Sequence, residues 1–184
     1  MAAARRRWAA ELLHHWFHTL RPGDWFRACE RIDGELRRRF ADDLAMLRTR
    51  PAHEFLGDPL TALAAVLLFD QVPRNIERGT AAAFAGDPLA RAIARGIMRR
   101  GWDRRLREVE RQFAAMPLMH REAIADQRRS VAAFAALGHR YGLPFARAHH
   151  RMIARFGRFP HRNAVLGRRS TSAERRAIAE GFVW

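Results

Sequence analysis

The spacing of apolar residues is the feature that most constrains this chain, because it follows the period of an α-helix along nearly its whole length. In the first segment Trp8, Leu12, Trp16 and Leu20 recur every four residues, which places them on one helical face. Glycines and prolines interrupt the pattern at intervals of ordinary helix length. No alternating pattern typical of a β-strand competes with it. The sequence therefore predicts an all-α fold.

Signals at the segment ends predict about eight helices. Asp58 and Asp87 each precede a proline, a combination that predicts an N-cap followed by the first helical residue. Thr171 and Glu174 have the spacing of a capping box. The predicted helices span residues 3–20, 24–48, 58–71, 87–100, 104–116, 118–140, 144–155 and a last segment from 171. Because the connections are short, we expect antiparallel helical hairpins stacked in a single domain over residues 1–184.

The chain has a formal net charge of +15, with 34 basic and 19 acidic residues, and its sequence contains no lysine. Such an excess is typical of proteins that bind nucleic acids or anionic membranes. Here the arginines are spread along the chain, and the complete replacement of lysine by arginine indicates the codon bias of a GC-rich genome. Nucleic-acid binding is therefore kept only as a disfavoured alternative.

The sequence favours a cytoplasmic protein. A single cysteine, Cys29, excludes an intramolecular disulfide. The longest apolar run, residues 62–69, is much shorter than the ~20 residues that span a bilayer. The basic N-terminus is followed by Glu11, His14 and His15, which interrupt the apolar core that a signal peptide requires.

Residues 155–171 form a segment rich in hydrogen-bond donors. Its glycines and proline exclude a continuous helix, and its phenylalanine, valine and leucine side chains need burial, which would anchor the loop. An anchored loop that carries Arg158, His161, Arg162 and Asn163 is suited to bind a carboxylate or another anion.

Residues 73–80 repeat part of this pattern, since both segments follow a helix and contain proline and an Arg-Asn pair. The similarity is either chance or a sign of two equivalent corners in a helical stack. Just before the earlier pair, Asp70 falls on an apolar helix face, where a carboxylate needs a partner. Arg74, four residues later, is one candidate, and an arginine of the late loop is another.

A second polar cluster opens the predicted helix at 118–140 and consists of His120, Glu122, Asp126 and Gln127. Further along, His149 lies on an apolar stripe. Three interpretations stay open: a metal site that also uses His161, an acid–base pair of His120 or His149 with Glu122, and a network of salt bridges to the arginine-rich loop. No metal-ligand spacing links these residues. The spacing of His14, His15 and His18 could hold a metal but is assigned to a solvated helix face, so the sequence predicts neither a metal nor a cofactor.

Three segments, 69–80, 116–127 and 155–171, resemble a bacterial family known as a domain of unknown function, the one numbered nine hundred and twenty-four. The most specific motif is Arg-Phe-Gly-Arg-Phe-Pro-His-Arg-Asn, followed by Leu-Gly-Arg. The resemblance covers essentially the whole chain. It implies a tetratricopeptide-like helical stack and leaves the activity open. The family's polar signature falls on Asp70, Gln71, Arg74, Asn75, His120, Glu122, Asp126, Gln127, His149, Arg158, His161, Arg162 and Asn163.

This chain departs from the family pattern at Val72, Arg121 and Arg151, where phenylalanine, a small polar residue and an acidic residue are usual. These changes make one wall of the expected site more basic. Residues 48–56 also lack a tryptophan that is usual in the family.

We expect a helical scaffold that binds a carboxylate- or anion-bearing ligand, or a peptide, in a pocket of arginine, asparagine and histidine side chains. Arg74, Arg158, Arg162 and Asn163 are the expected contacts with the anion. The first alternative is an enzyme, a hydrolase or lyase, that uses a histidine–glutamate acid–base pair. The second alternative is nucleic-acid binding through the arginine-rich surface.

Overall fold

Every regular element in the described part of the chain is helical. The computed structural model describes residues 6–181. Its α-helices are α1 (Arg7–His14), α2 (Glu30–Leu47), α3 (Pro59–Val66), α4 (Val72–Ile76), α5 (Asp87–Arg99), α6 (Glu108–Met119), α7 (Ile124–Leu137), α8 (Leu143–Phe156) and α9 (Ser172–Ala179). Short 3₁₀ helices lie at Ala52–Phe55, Ala81–Phe84, Trp102–Arg105, His139–Tyr141 and Pro160–Arg162. The predicted all-α class is confirmed.

Two π-helical turns modify this pattern. The first, His15–Thr19, extends α1, and the second, Leu67–Gln71, joins α3 to α4. Helices α3 and α4 therefore form one continuous helix, here called the α3–α4 helix. With these two counted together, the described chain has the eight helices that the sequence predicts.

The caps predicted at two helix starts are confirmed. The Asp58 carboxylate accepts hydrogen bonds from the backbone N–H groups of Leu60 and Thr61, at 3.0 and 2.9 Å. At the start of α9 the hydroxyl of Thr171 accepts from the N–H of Glu174, and the Glu174 carboxylate accepts from the N–H of Thr171. Each cap satisfies backbone donors that have no partner within the helix.

Two of the prolines that were expected to interrupt the helical pattern, Pro73 and Pro117, lie inside helices, so their predicted role as helix ends is wrong. Pro117 lies within α6, and Pro73 is the second residue of α4. Immediately before Pro73, the N–H of Val72 donates to the carbonyl of Leu67, five residues earlier. Residues 61–73 and 113–120 are buried without exception. Burial against other helices thus outweighs the cost of about 3 kcal/mol for proline in a helix interior.

Two other predicted boundaries are corrected. Helix α2 begins at Glu30, because the Asp24 carboxylate accepts from the N–H of Arg21 and stabilises a turn before the helix. The predicted helix at 118–140 is divided, with α6 ending at Met119 and α7 beginning at Ile124. The predicted start of the first helix, at residue 3, lies outside the described residues.

The α3–α4 helix is the central element of the core. Helix α3 packs against α1, α5 and α6, and α2 packs against α4. The ring of Phe113 lies at the centre of an aromatic cluster, with the rings of Trp16, Phe17, Trp25 and Phe26 between 5.1 and 6.1 Å away. These contacts join α6 to the first helix and to the loop that follows it.

A second, smaller apolar cluster fixes the C-terminal part of the chain. It joins Met152 and Ile153 of α8 to Phe159 of the following loop and Ala177 of α9. In the described part of the chain, no helix is both long and apolar enough to span a membrane. Tetratricopeptide-like stacking of the helices stays a prediction.

Candidate functional site

A cavity of about 720 Å³ lies beside the α3–α4 helix and the C-terminal end of α6. Its basic and imidazole side chains are those of Arg27, Arg74, Arg78, Arg140, Arg162, His120, His149 and His161. Its larger apolar side chains are those of Trp25, Phe26, Phe84, Met116, Met119, Phe134, Phe145 and Val165. Among the described residues that line it, none is aspartate or glutamate. The surface of the cavity is thus partly apolar and partly cationic.

Seven residues of the predicted site line this cavity, although they come from distant parts of the chain. They are Gln71, Arg74, Asn75, His120, His149, His161 and Arg162. Asn75 donates to the carbonyl of Gln71 at 3.0 Å, and its side-chain oxygen accepts from Arg78 at 3.3 Å. Segments that are distant in sequence therefore lie around one hollow.

Asp70 is fully buried directly behind the cavity wall, in the π-helical turn. Its Oδ1 lies 2.8 Å from Nδ1 of His120 and 3.3 Å from Nη1 of Arg74. Its Oδ2 accepts a hydrogen bond from Nε2 of Gln71 at 2.5 Å. Arg74 also donates to the backbone carbonyl of Asp70. The buried carboxylate thus has the partners that its desolvation requires.

The two groups of the Asp70–His120 pair differ in charge at neutral pH. Burial alone would raise the pKa of Asp70, but Arg74, His120 and Gln71 stabilise the ionised form and hold the pKa well below its ordinary value. Burial is the largest influence on His120 and lowers the pKa of its imidazole, despite the neighbouring Asp70 charge. An ionised carboxylate only accepts hydrogen bonds, so the imidazole proton lies on Nδ1 and the lone pair on Nε2.

Asp87 is a carboxylate of this site that sequence reasoning missed. It was predicted to cap α5, but it is the first residue of that helix and Gly86 occupies the cap position, without a side-chain cap. Its two carboxylate oxygens instead lie 2.9 and 3.1 Å from the guanidinium of Arg74, and Arg162 donates to Oδ2 at 3.3 Å. The arginines of the two Arg-Asn segments therefore meet on one carboxylate. No local signal separates Asp87 from Asp58, because both precede a proline.

Arg162 is held between polar and aromatic partners. Its Nη1 donates to the backbone carbonyl of His120 at 3.1 Å. Its Cζ lies 4.5 Å from the ring centre of Phe84 and 4.6 Å from that of Phe159. Burial and the nearby Arg74 charge lower the pKa of Arg162 to about 10. The side chain is thus a rigid cation in the cavity wall.

Two more imidazoles of the cavity are neutral at neutral pH. His149 donates from Nδ1 to the carbonyl of Phe145 at 2.9 Å, and its ring centre lies 6.2 Å from that of His120. Burial, with His120 and Arg162 nearby, lowers the pKa of His149 to about 3. Burial, with Arg162 next in importance, lowers the pKa of His161 to about 4. These side chains add hydrogen-bonding groups without positive charge.

The remaining predicted residues do not line the cavity; they are Glu122, Asp126, Gln127, Arg158 and Asn163. Glu122 accepts two hydrogen bonds from Arg168, at 2.7 and 2.9 Å, and one from the N–H of Phe159. Arg158 pairs with Glu174 at 2.6 Å. These two ion pairs anchor the 157–171 loop. Of the interpretations left open by the sequence, a salt bridge from Glu122 to the arginine-rich loop is the one observed, and Asp70 is the carboxylate beside His120.

The other three predicted residues outside the cavity lining, Asp126, Gln127 and Asn163, also have partners elsewhere. Asp126 pairs with Arg91 at 2.5 Å. Gln127 donates to the carbonyls of Met119, the last residue of α6, and of Arg121, in the following turn, at 2.7 Å each, and closes the turn between α6 and α7. Asn163 donates to the hydroxyl of Ser170, inside the loop, at 3.0 Å. Each side chain forms a hydrogen bond or an ion pair within the protein. The spacing of residues in the sequence does not distinguish such a contact from a contact with a ligand.

The apolar wall was also missed by sequence reasoning. Met116 and Phe134 occupy positions in helical apolar stripes, which predicts ordinary core residues. Phe26 and Phe145 are exposed and lie at the cavity. A stripe identifies the face that packs inward, but it does not reveal where the packing leaves space.

In the described chain, no group of three or more histidine, cysteine, aspartate or glutamate side chains is arranged to hold a metal ion. The metal alternative raised from the sequence needed Glu122 and Asp126 beside the histidines. Both carboxylates instead pair with arginines.

Comparisons with known proteins agree with this fold. A family model described as "Bacterial protein of unknown function (DUF924)" matches residues 12–181. The solved structure of the protein of unknown function ATU0120 from Agrobacterium tumefaciens is 39% identical, with a TM-score of 0.89. The match covers 94% of this chain and 97% of that chain. No curated protein matches the sequence. This chain belongs to the DUF924 family of bacterial proteins of unknown function.

Proposed function

We propose that the cavity binds a small organic anion with an apolar body, such as an arylalkyl carboxylate. The observation that carries this proposal is the combination of five arginines with an aromatic and methionine wall, around one hollow without a carboxylate in its described lining. Its volume of about 720 Å³ also lies within the range of small-molecule sites, about 300–1,000 Å³. A ligand of this kind would match both parts of the surface.

The charge around the cavity favours an anion. Behind the cavity wall, Arg74 forms ion pairs with Asp70 and Asp87, and Arg162 forms an ion pair with Asp87. Their guanidinium groups are held in fixed positions by these contacts. A ligand anion would meet preorganised donors, which lowers the conformational entropy lost on binding.

Further positive charge lies closer to solvent. Arg78 pairs with Asp33 at 3.2 Å, and its side chain is half-exposed. Arg27 and Arg140 line the cavity and are exposed, so that their charged ends are accessible to an entering ligand. Because guanidinium groups bind carboxylates with two parallel hydrogen bonds, these arginines are suited to hold an acid group.

The apolar wall supports a ligand that is more than a simple ion. Phe84, Phe134 and Phe145 contribute rings, and Met116 and Met119 contribute flexible side chains that adapt to different shapes. A body of this kind gains roughly 25 cal/mol for each Å² of apolar surface removed from water. An inorganic anion would leave this wall uncovered.

Calorimetric titration with 4-phenylbutyrate and its neutral amide, 4-phenylbutyramide, tests the proposal. We expect the acid to bind and the amide to bind at least about tenfold more weakly, because a charge-assisted hydrogen bond contributes roughly 1.5–3 kcal/mol. The double variant Arg27→Gln/Arg140→Gln should weaken binding of the acid without lowering thermal stability. Arg104→Gln, an exposed change outside the cavity lining, is the matched control. Equal binding of acid and amide would contradict the proposal.

A peptide with a C-terminal carboxylate would present the same chemistry on a longer chain. Its binding would exceed that of 4-phenylbutyrate if contacts beyond the cavity contribute. Nucleic-acid binding, the alternative based on net charge, predicts a steep fall of affinity with salt. The apolar wall offers that alternative no support.

A further inference from the structure

The Asp70–His120 pair has the geometry of a positioned base. His120 follows the last residue of α6 and lines the cavity, whereas Asp70 lies behind it in the π-helical turn. Nδ1 and Oδ1 are 2.8 Å apart. The two residues are 50 positions apart in the sequence. A π-helical turn is a feature often found at functional sites.

This arrangement fixes the tautomer of the imidazole. A proton on Nδ1 that is donated to a carboxylate leaves the Nε2 lone pair available as a base. Burial is the largest influence on the pKa of His120 and lowers it, as does Arg74, whereas Asp70 and Asp87 raise it. The ring of His149 also faces the imidazole of His120, and Arg162 donates to the backbone carbonyl of His120.

We propose that the cavity is a hydrolytic site, in which His120, positioned by Asp70, activates water against the carbonyl of an ester with an apolar acyl group. This inference rests on the proposed function, because the acid that hydrolysis releases is the kind of ligand proposed there. The arginines would then serve twice, by stabilising the oxyanion of the reaction and by holding the carboxylate product.

The reaction consumes one water molecule and leaves His120 unchanged at its end. Nε2 of His120 takes a proton from water while the water oxygen bonds to the carbonyl carbon and the carbonyl electron pair moves onto its oxygen. The tetrahedral oxyanion forms near the guanidinium groups of Arg74 and Arg162. It collapses as the bond to the alcohol oxygen breaks, and the imidazolium returns its proton to that oxygen. Water is the second reactant, and the acid product ionises into solvent.

Water is the nucleophile favoured by the residues at hand. Among the described residues of the lining, none is serine, cysteine or tyrosine, and Thr80 is the sole hydroxyl. The Thr80 hydroxyl donates to the carbonyl of Glu77 at 2.8 Å. In ester hydrolysis the proton leaves water as the new bond forms, so that a neutral imidazole is a sufficient base.

Hydrolysis of 4-nitrophenyl 4-phenylbutyrate tests the inference. We expect wild-type protein to release 4-nitrophenolate with saturation kinetics. His120→Gln should lower kcat at least about 100-fold, the usual contribution of a general base, while KM and the affinity for 4-phenylbutyrate stay within about threefold. His53→Gln, an exposed histidine outside the cavity lining, is the matched control and should leave kcat unchanged.

Asp70→Asn tests the positioning role with the pH dependence of kcat. The wild-type rate should fall on acidification below pH 6.5, because the base must be neutral and its pKa is lowered. Removal of the Asp70 charge disfavours the imidazolium, so the acid limb of the profile should move to lower pH while kcat falls. A merely structural carboxylate would not move this limb. If the variant does not fold, nitrogen-15 NMR of the wild-type imidazole tests the tautomer directly.

The outcomes separate the two proposals. Binding of 4-phenylbutyrate without hydrolysis of its ester would overturn the hydrolytic site and leave the binding function intact. Absence of both would overturn both. Equal rates for wild type and His120→Gln, or a proton on Nε2 of His120, would also overturn the hydrolytic site.

Discussion

Asp87 is the residue that pairs with the arginines of both Arg-Asn segments, Arg74 and Arg162. Its carboxylate compensates the charges of Arg74 and Arg162, whose side chains are 20% and 7% exposed. At Asp58 the same Asp-Pro sequence caps a helix instead. The side chain is chemically identical at both sites, so the surrounding charges decide its role.

A pair of matched substitutions measures this difference. Asp87→Asn should lower the free energy of unfolding by about 3 kcal/mol, because it leaves two largely buried guanidinium groups without their shared carboxylate. Asp58→Asn should change it by less than about 1 kcal/mol, since asparagine caps helices nearly as well as aspartate. Urea denaturation of both variants gives the comparison. Equal losses would show that Asp87 also acts mainly as a helix start.

At the scale of elements, the α3–α4 helix owes its irregular centre to Pro73. In a regular helix the carbonyl of Phe69 would accept from residue 73, but proline has no N–H. The backbone of Gly86, just before α5, approaches this carbonyl so closely that a Cβ atom there would overlap it. Because of Pro73, the carbonyl of Phe69 lacks its usual helical donor, and Gly86 at the start of α5 packs against it. This contact places Asp87 next to Arg74.

Gly86→Ala tests this close approach. The added methyl group would meet backbone atoms of Phe69, which move less readily than a side chain, so we expect a loss of about 2–3 kcal/mol of unfolding free energy. Gly57→Ala is the control, because nothing lies within 4 Å of a Cβ atom at that position. Thermal or urea denaturation would reveal the difference. A stability loss no greater than that of the control would refute the packing argument.

The 157–171 loop shows how one element divides its arginines between roles. Arg158 and Arg168 bind Glu174 and Glu122, and these pairs fix the loop on α9 and on the turn before α7. Arg162, between them in sequence, lies in the cavity wall. The position of Arg162 therefore depends on two neighbouring arginines whose contribution is structural.

At the scale of the whole molecule, buried neutral histidines link stability to pH. The pKa of His149 is lowered to about 3 and that of His161 to about 4, against an ordinary value of 6.5. Below pH 6.5 the unfolded chain binds protons that the folded chain excludes. The free energy of unfolding therefore decreases as the pH is lowered. Above pH 6.5 both states are neutral at these positions, and the effect vanishes.

Unfolding measured between pH 7 and pH 5 tests this linkage. The free energy of unfolding should fall by roughly 1–2 kcal/mol for each of these imidazoles at pH 5. The double variant His149→Gln/His161→Gln should show a shallower slope, whatever its absolute stability. His53→Gln should keep the wild-type slope, because this side chain is exposed. The linkage is refuted if the double variant and wild type have the same pH dependence.

The helices, two of the caps and the all-α class were determined by the sequence alone, because each depends on contacts within a few residues of chain. The convergence of Arg74, His120 and Arg162 was expected from their residue types and from the family resemblance. Which groups pair across long stretches of sequence was decided by tertiary structure. Asp70 meets His120 across 50 residues and Asp87 meets Arg162 across 75, and such distances leave no local trace. Many arginines of the chain could pair with a given carboxylate, and the packing of the helices decides which of them does.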